Sequence, residues 1–334
     1  MPAQTVLPRW RGFNLLEFFG IPRLEADPFR EDDFRWIAGW GFDFVRIPMN
    51  YLLWLVNGDP FSVDEAVIEK LDAALKYGER YHVHVSLSFH TAPGYRIGAP
   101  HTPPGNLWKD QTALDAFCFH WEYFARRYKA IPSTRLSFDL VNEPPPRSRK
   151  QMTLKDYIRV HMTAVHAIRA IDPRRLIIAN GYAVGRKPCF ELAPLGIAQS
   201  TRAYDPHSIS HYRAPWANGM HYPPPQYPQP RRGMARAWNR QRLEALYQPW
   251  VKLAQSGIGV HCGEGGAYKH TPHNVFLAWF GDALDILTEH NIGYALWNFR
   301  GDFGILDSGR ADVTYTDWHG HQLDEKLLKL LQTH

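Results

Sequence analysis

Cysteine is scarce in this chain. Its 334 residues include three, Cys118, Cys189 and Cys262, widely spaced and odd in number. That pattern excludes a disulfide framework and the close Cys pairs of a zinc site, so the three read as buried reduced thiols. No apolar run approaches the roughly 20 residues needed to cross a bilayer. The opening residues, Met-Pro-Ala-Gln-Thr-Val-Leu-Pro-Arg-Trp, lack the basic start and apolar stretch of a secretory leader. We therefore expect a soluble monomer with no membrane partner, cytoplasmic by default and secreted only where a leader had been removed.

A dominant charge of one sign is missing too. Lys and Arg total 38 against 33 Asp and Glu, a net charge of +5. Part of the excess sits in Arg231, Arg232, Arg236, Arg240 and Arg242, which lead into a helix. With no binding motif beside them they read as a solvated helix face, and no nucleic-acid partner is expected. No Gly-rich phosphate loop follows the first strand-like stretch, which argues against an open dinucleotide-binding sheet. No repeat of 20–50 residues is visible.

Aromatic residues, in contrast, are plentiful: 12 Trp, 16 Tyr and 18 Phe make up 14% of the chain. Such a load fills a core, and it also lines clefts that stack flat ligands such as sugar rings. Strand-like and helix-like stretches alternate along the whole chain. Strands are expected at residues 10–16, 42–48, 82–89, 136–144, 176–180, 208–211, 258–264 and 292–299, the sixth being the weakest. Helices are expected at 31–40, 63–81, 111–129, 154–171, 237–255, 273–290 and 324–332. Eight alternations imply parallel strands with helical crossovers, and eight closes a (β/α)8 TIM barrel with enlarged βα loops, one domain over residues 1–334.

Such a barrel gathers the C-terminal ends of its strands at one mouth. Those ends carry Asn14 and Glu17, Arg46, His90, Asn142 and Glu143, Asn180, His211 and Tyr212, Glu264, and Trp297 and Asn298. A strand that only packs has no need of polar groups there. Glu143 ends the fourth strand and Glu264 the seventh, so they face each other across the mouth. Two carboxyl groups bracketing a substrate are the minimal apparatus for glycoside hydrolysis, one protonated to donate to the leaving oxygen and one ionised to attack the anomeric carbon. Arg46 is a natural partner for the ionised one. Gly263, Gly265 and Gly266 are expected to let a sugar approach the backbone closely.

These residues resemble glycoside hydrolase family 5, the cellulase family of retaining (β/α)8 enzymes. The resemblance rests on Asn142-Glu143-Pro144 and Gly263-Glu264-Gly265-Gly266. It is supported by Arg11-Gly12-Phe13-Asn14, Val45-Arg46-Ile47-Pro48, His90-Thr91-Ala92-Pro93-Gly94-Tyr95, Asn106-Leu107-Trp108 and Leu296-Trp297-Asn298. It implies that Glu143 is the acid/base and Glu264 the nucleophile. Asn142 would bond the sugar 2-hydroxyl, Arg46 would orient Glu264, His90 would contact the sugar on the nucleophile side, and Trp297 would form its stacking floor. The family ends its sixth strand with His-x-Tyr, the His near the acid/base and the Tyr beside the nucleophile. Here the expected sixth strand reads Ser210-His211-Tyr212-Arg213, so His211 takes the first place and either Tyr212 or Arg213 the second.

Two long loops are expected to shape the cleft. The first, 91–110, holds Tyr95, His101 and Trp108; the second, 212–232, holds Trp216, His221, Tyr222 and Tyr227 among several prolines. Trp108 and Trp216 are taken as substrate-binding candidates. The implied substrate is a β-linked oligo- or polysaccharide, with endo-β-1,4-glucan first and mannan, β-1,3-glucan or short oligosaccharides as alternatives. No cofactor and no metal are expected. A metal-dependent barrel hydrolase would need more than His82-Val83-His84, which lies at the closed end of the barrel. A non-catalytic sugar-binding barrel would be expected to lose one of the two carboxyl groups, and both are present.

Overall fold

Short strands buried along nearly their whole length, each followed by a helix with one apolar face, are covered on every side when the sheet curls into a closed barrel. The computed structural model, which describes residues 6–20, 24–98, 103–229 and 237–334, shows that solution. The barrel strands are β1 (Arg11–Asn14), β2 (Phe44–Asn50), β3 (His84–Ala92), β4 (Leu136–Asp139), β5 (Leu176–Asn180), β6 (Ala198–Ala203), β7 (Val260–Gly265) and β8 (Gly293–Leu296). Each pairs in parallel with the next, and β8 returns to β1, which closes the barrel. The outer ring contains α1 (Glu31–Gly39), α2 (Glu65–Tyr81), α3 (Gln111–Arg127), α4 (Leu154–Ile171), α5 (Arg240–Gln255), α6 (His273–Glu289) and α7 (Glu325–Thr333). The crossover from β5 to β6 holds only a helical turn and a 3-10 segment, Phe190–Leu195.

Local chemistry sets the helix starts. Asp64, Asn239 and Asp324 each accept a backbone N–H from the first turn of α2, α5 and α7, and Thr153 with Asp156 forms a full capping box on α4. The outward faces of the strands (Phe13, Val45, Ile47, Leu87, Phe89, Phe138 and Ile177 among them) pack under the helices in one large core. A second apolar cluster, Leu7, Trp10, Phe44, Ile178, Ala198 and Ala295, lies at the N-terminal ends of the strands and floors the barrel. His84 stacks on Trp10 with 3.8 Å between ring centroids and uses both ring nitrogens, toward Thr134 O and Ser137 Oγ. His82 caps α2 in a left-handed conformation. The His-x-His pair thus plugs the closed end and caps a helix.

The sixth strand is a correction. Residues 208–211 are not a strand; His207–Ser210 is one helical turn. The strand is Ala198-Gln199-Ser200-Thr201-Arg202-Ala203, whose polarity hid it. Gln199 exchanges hydrogen bonds with the backbone of Cys189, Thr201 Oγ1 donates to Gly185 O, and Ser200 Oγ accepts from Gly263 N. Polar side chains satisfied this way can be buried as readily as apolar ones.

Candidate active site

At the C-terminal ends of the strands the barrel interior changes from apolar to charged. Arg46, from β2, is fully buried and commits all five N–H groups. Nε donates to Asp139 Oδ2 at 2.7 Å, Nη1 to Glu264 Oε1 at 2.6 Å and Asn14 Oδ1 at 3.1 Å, and Nη2 to Ser88 Oγ at 2.8 Å and Asn142 Oδ1 at 2.9 Å. Five strands and the segment after β4 thereby converge on one guanidinium. A lysine could not replace it, because only the planar fork serves acceptors on opposite sides of the barrel.

Glu264, on β7, receives three donors. Arg46 Nη1 and Arg202 Nη2 reach Oε1 at 2.6 Å and 3.3 Å, and the Tyr204 hydroxyl donates to Oε2 at 3.1 Å. A carboxylate accepts in this way, and a protonated carboxyl would face the donors with a hydrogen of its own.

Glu143 stands differently. Its backbone has a left-handed φ of 47°, fixed by its N–H donating to Asn180 Oδ1 at 3.1 Å and by Tyr95 Oη donating to its carbonyl at 2.6 Å. Arg202 Nε donates to its Oε1 at 3.1 Å. Burial, and next the nearby Glu264 charge, push its pKa up to about 7 despite the two arginines. One carboxyl group therefore keeps its proton well above the ordinary carboxyl range, and its neighbour sits among donors.

Asn142 links the two. Its Oδ1 accepts from both Arg46 and Arg202, which turns its amide nitrogen toward His90 Nε2 at 3.5 Å. Burial drives the His90 pKa well down, so the ring is neutral and can accept. His90 stacks on Trp297 at 5.4 Å, and Phe19 meets both rings edge-on. Glu143, Glu264, Arg46, Asn142, His90 and Trp297 thus come together as the sequence implied.

Four expectations are corrected. Tyr204 occupies the position beside Glu264; neither Tyr212 nor Arg213 does, because the sixth strand lies upstream of where it was placed. The His-x-Tyr place is filled by Arg202-Ala203-Tyr204, with arginine first. His211 is not at a strand end: it packs edge-on against Tyr204 at 5.2 Å and Phe303 at 5.7 Å, beside His207 at 4.5 Å. Trp108 is 0% exposed, packed among Tyr95, Tyr157 and His161, and cannot touch a ligand. The glycines around Glu264 make room for the protein itself: a Cβ on Gly263 would lie 2.6 Å from Ser200 Oγ and 3.0 Å from Arg202 Nη1, and one on Gly265 2.8 Å from Ala203 Cβ.

Of the two loops, Trp216 is 61% exposed and stands edge-on to Tyr268, beside the cluster of Tyr204, Ala214, Tyr268 and Phe303 at the mouth. Tyr227 instead donates to Asp282 on α6 at 2.5 Å. His101, Arg231, Arg232 and Arg236 lie outside the described residues. Arg202, Tyr204 and Asp139 were missed. The Arg-x-Tyr spacing was the available signal for the first two.

Residues 8–302 match the family model for cellulase, glycosyl hydrolase family 5. Endoglucanase C of Acetivibrio thermocellus is 25% identical over 311 residues, covering 85% of this chain and 88% of the relative. Cellodextrinase A of Ruminococcus flavefaciens is 23% identical over 269 residues, 79% of this chain and 76% of the relative. The crystal structure of a glycoside hydrolase, 38% identical, superposes with a TM-score of 0.92 over 97% of this chain and 99% of its own. The barrel, the converging strand-end residues and these matches agree: the chain is a glycoside hydrolase and belongs to glycosyl hydrolase family 5.

Proposed function

We propose that the enzyme is a retaining endo-β-1,4-glucanase in which Glu143 is the acid/base and Glu264 the nucleophile. The observation that carries this is the contrast between the two carboxyl groups around one guanidinium, Glu143 held protonated up to about pH 7 and Glu264 ringed by three donors. Glu264 attacks the anomeric carbon while Glu143 gives its proton to the departing oxygen; Glu143 then takes a proton from water as the ester is hydrolysed. Asn142, with its carbonyl oxygen committed to the two arginines, offers only N–H to the sugar 2-hydroxyl. His90 and the face of Trp297 support the same ring, and Trp216 extends the aromatic wall outward. The names of the relatives, an endoglucanase and a cellodextrinase, favour β-1,4-glucan. The cellodextrinase also supports a second reading, action on short oligosaccharides.

E143Q and E264Q should each lower turnover by about 10³-fold or more with the melting transition retained. Azide added to Glu143→Ala should yield the β-glycosyl azide, and to Glu264→Ala the α-anomer. Near-normal rates in either Gln variant would sink the assignment. A panel of carboxymethylcellulose, lichenan, mannan and cello-oligosaccharides, with the products sized, decides the substrate. Rapid loss of viscosity on the cellulose derivative is the expected result.

A further inference from the structure

Arg202 stands where the family pattern named above has histidine. Its Nε lies 3.1 Å from Glu143 Oε1 and its Nη2 3.3 Å from Glu264 Oε1. Its other contacts are Ser200 Oγ, Thr201 O, Asn142 Oδ1 and Asn180 Oδ1. No N–H is left over for a substrate group, and the side chain is buried. Among the described residues no other side chain bonds both carboxyl groups.

We propose that Arg202 is a shared counter-ion that pairs with Glu264 in the free enzyme and with Glu143 in the glycosyl-enzyme, keeping the site at one net charge without moving. This rests on the paired-glutamate reading above. In the free enzyme two guanidinium cations, Arg46 and Arg202, face two anions, Asp139 and Glu264, with Glu143 as the neutral acid. In the first step a Glu264 oxygen bonds to the anomeric carbon. The bond to the leaving oxygen breaks with its electron pair, and that oxygen takes the Glu143 proton. Glu264 is now a neutral ester and Glu143 an anion, so the count is again two against two. In the second step water attacks the anomeric carbon and gives a proton to Glu143, and the ester electron pair returns to Glu264. The negative charge has crossed from one contact of Arg202 to the other and back. Imidazole can lose its proton near neutral pH, whereas a guanidinium stays charged throughout.

The groups facing Glu143 are Glu264, Arg46, Tyr95, Tyr204 and Arg186. Those facing Arg202, besides the two glutamates, are Asp139, Tyr204, Cys262, His261 and His90. Arg46 bonds Glu264 and Asp139 but makes no hydrogen bond to Glu143, so it cannot follow the charge as Arg202 does.

The test compares R202H and R202K with the wild type, on a glucan with a poor leaving group and on a dinitrophenyl glycoside that the wild type cleaves. The basic limb of kcat/KM on the glucan reads Glu143 in the free enzyme. The acid limb of kcat on the dinitrophenyl glycoside, whose leaving group needs no proton, reads Glu143 in the glycosyl-enzyme. In R202H both limbs should move to higher pH, by about one unit on the glucan and about two on the dinitrophenyl glycoside, where Arg202 has Glu143 alone to neutralise. R202K should keep both limbs within about half a unit at reduced rates, because it retains the charge. Slower rates with unmoved limbs, or equal movement in both, would overturn the proposal. Should R202H not fold, R202Q read on the same two substrates decides in its place, since it too removes the charge: both limbs should rise, the dinitrophenyl limb by more, and unmoved limbs or equal movement refute it. Turnover surviving in E143Q or E264Q would instead bring down the glutamate reading; unmoved limbs with both Gln variants inactive bring down this inference alone.

Discussion

Tyr204 shows how much one hydroxyl can carry at the scale of the residue. It is the only donor to Glu264 Oε2 among the described residues, while both arginines take Oε1. Y204F therefore leaves one oxygen of the Glu264 carboxylate unheld, and, if Glu264 attacks as proposed, kcat/KM on a glucan should fall about 10- to 100-fold while the fold is kept. On the proposed mechanism the pH profile belongs to Glu143. With its pKa pushed up to about 7, the protonated acid is present below that value and lost above it. The basic limb of wild-type kcat/KM should accordingly lie near pH 7, measured on a substrate whose leaving group needs the proton. A limb above pH 9 would show that another group controls the rate.

Elements place these residues, and here the sequence was legible in some parts and silent in others. Leu154–Ile171 and Leu176–Asn180 stand where the apolar pattern put them, because a capping box, an Asp-Pro stop and a run of Leu and Ile all act locally. The sixth strand left no such trace. Its burial depends on partners far along the chain, Gly263 and the two glutamates, which no local pattern reveals. Once Ala198–Ala203 is recognised, Arg202 and Tyr204 follow, since Tyr204 comes directly after the strand end. Trp108 fails in the opposite sense: an aromatic in an enlarged loop looks like a ligand platform, yet its ring packs inward among Tyr95, Tyr157 and His161. Packing also gives Gly263 its reason. G263A would drive a methyl group into Ser200 Oγ and Arg202 Nη1. We expect it to cost about 1–3 kcal/mol of stability and to displace Arg202, so activity should fall more than the melting temperature alone explains. Chemical denaturation alongside assays of the folded fraction separates the two effects.

Taken whole, the molecule carries a further carboxyl with a raised pKa, half-buried at the edge of the mouth. Glu17 follows β1 and shares a cavity of about 550 Å³ with Asp33, Arg30 and Arg300. Its Oε2 is buried without a hydrogen-bond partner. Burial, opposed by a backbone hydrogen bond and the two arginines and reinforced by Asp33, pushes its pKa from 4.5 up to about 7. The folded state keeps a proton there that the unfolded chain loses. This contribution to stability is therefore complete below pH 4.5 and disappears as the pH rises through about 7. Glutamine is neutral at every pH. The melting temperature of E17Q relative to wild type should thus climb between pH 4.5 and pH 8, by an amount corresponding to about 3 kcal/mol or less. A difference independent of pH would refute the titration.

The floor of the barrel bears on the mouth. Trp10, Phe44 and His84 stack beneath the charged layer with His261 tilted against Phe44, and the two imidazoles are held neutral, with pKa values lowered to about 3 by burial. Neither imidazole takes up charge near neutral pH, so the floor beneath the charged layer stays electrically constant over the range in which Glu143 titrates. A change of pH is therefore felt at the mouth of the barrel and not at its base.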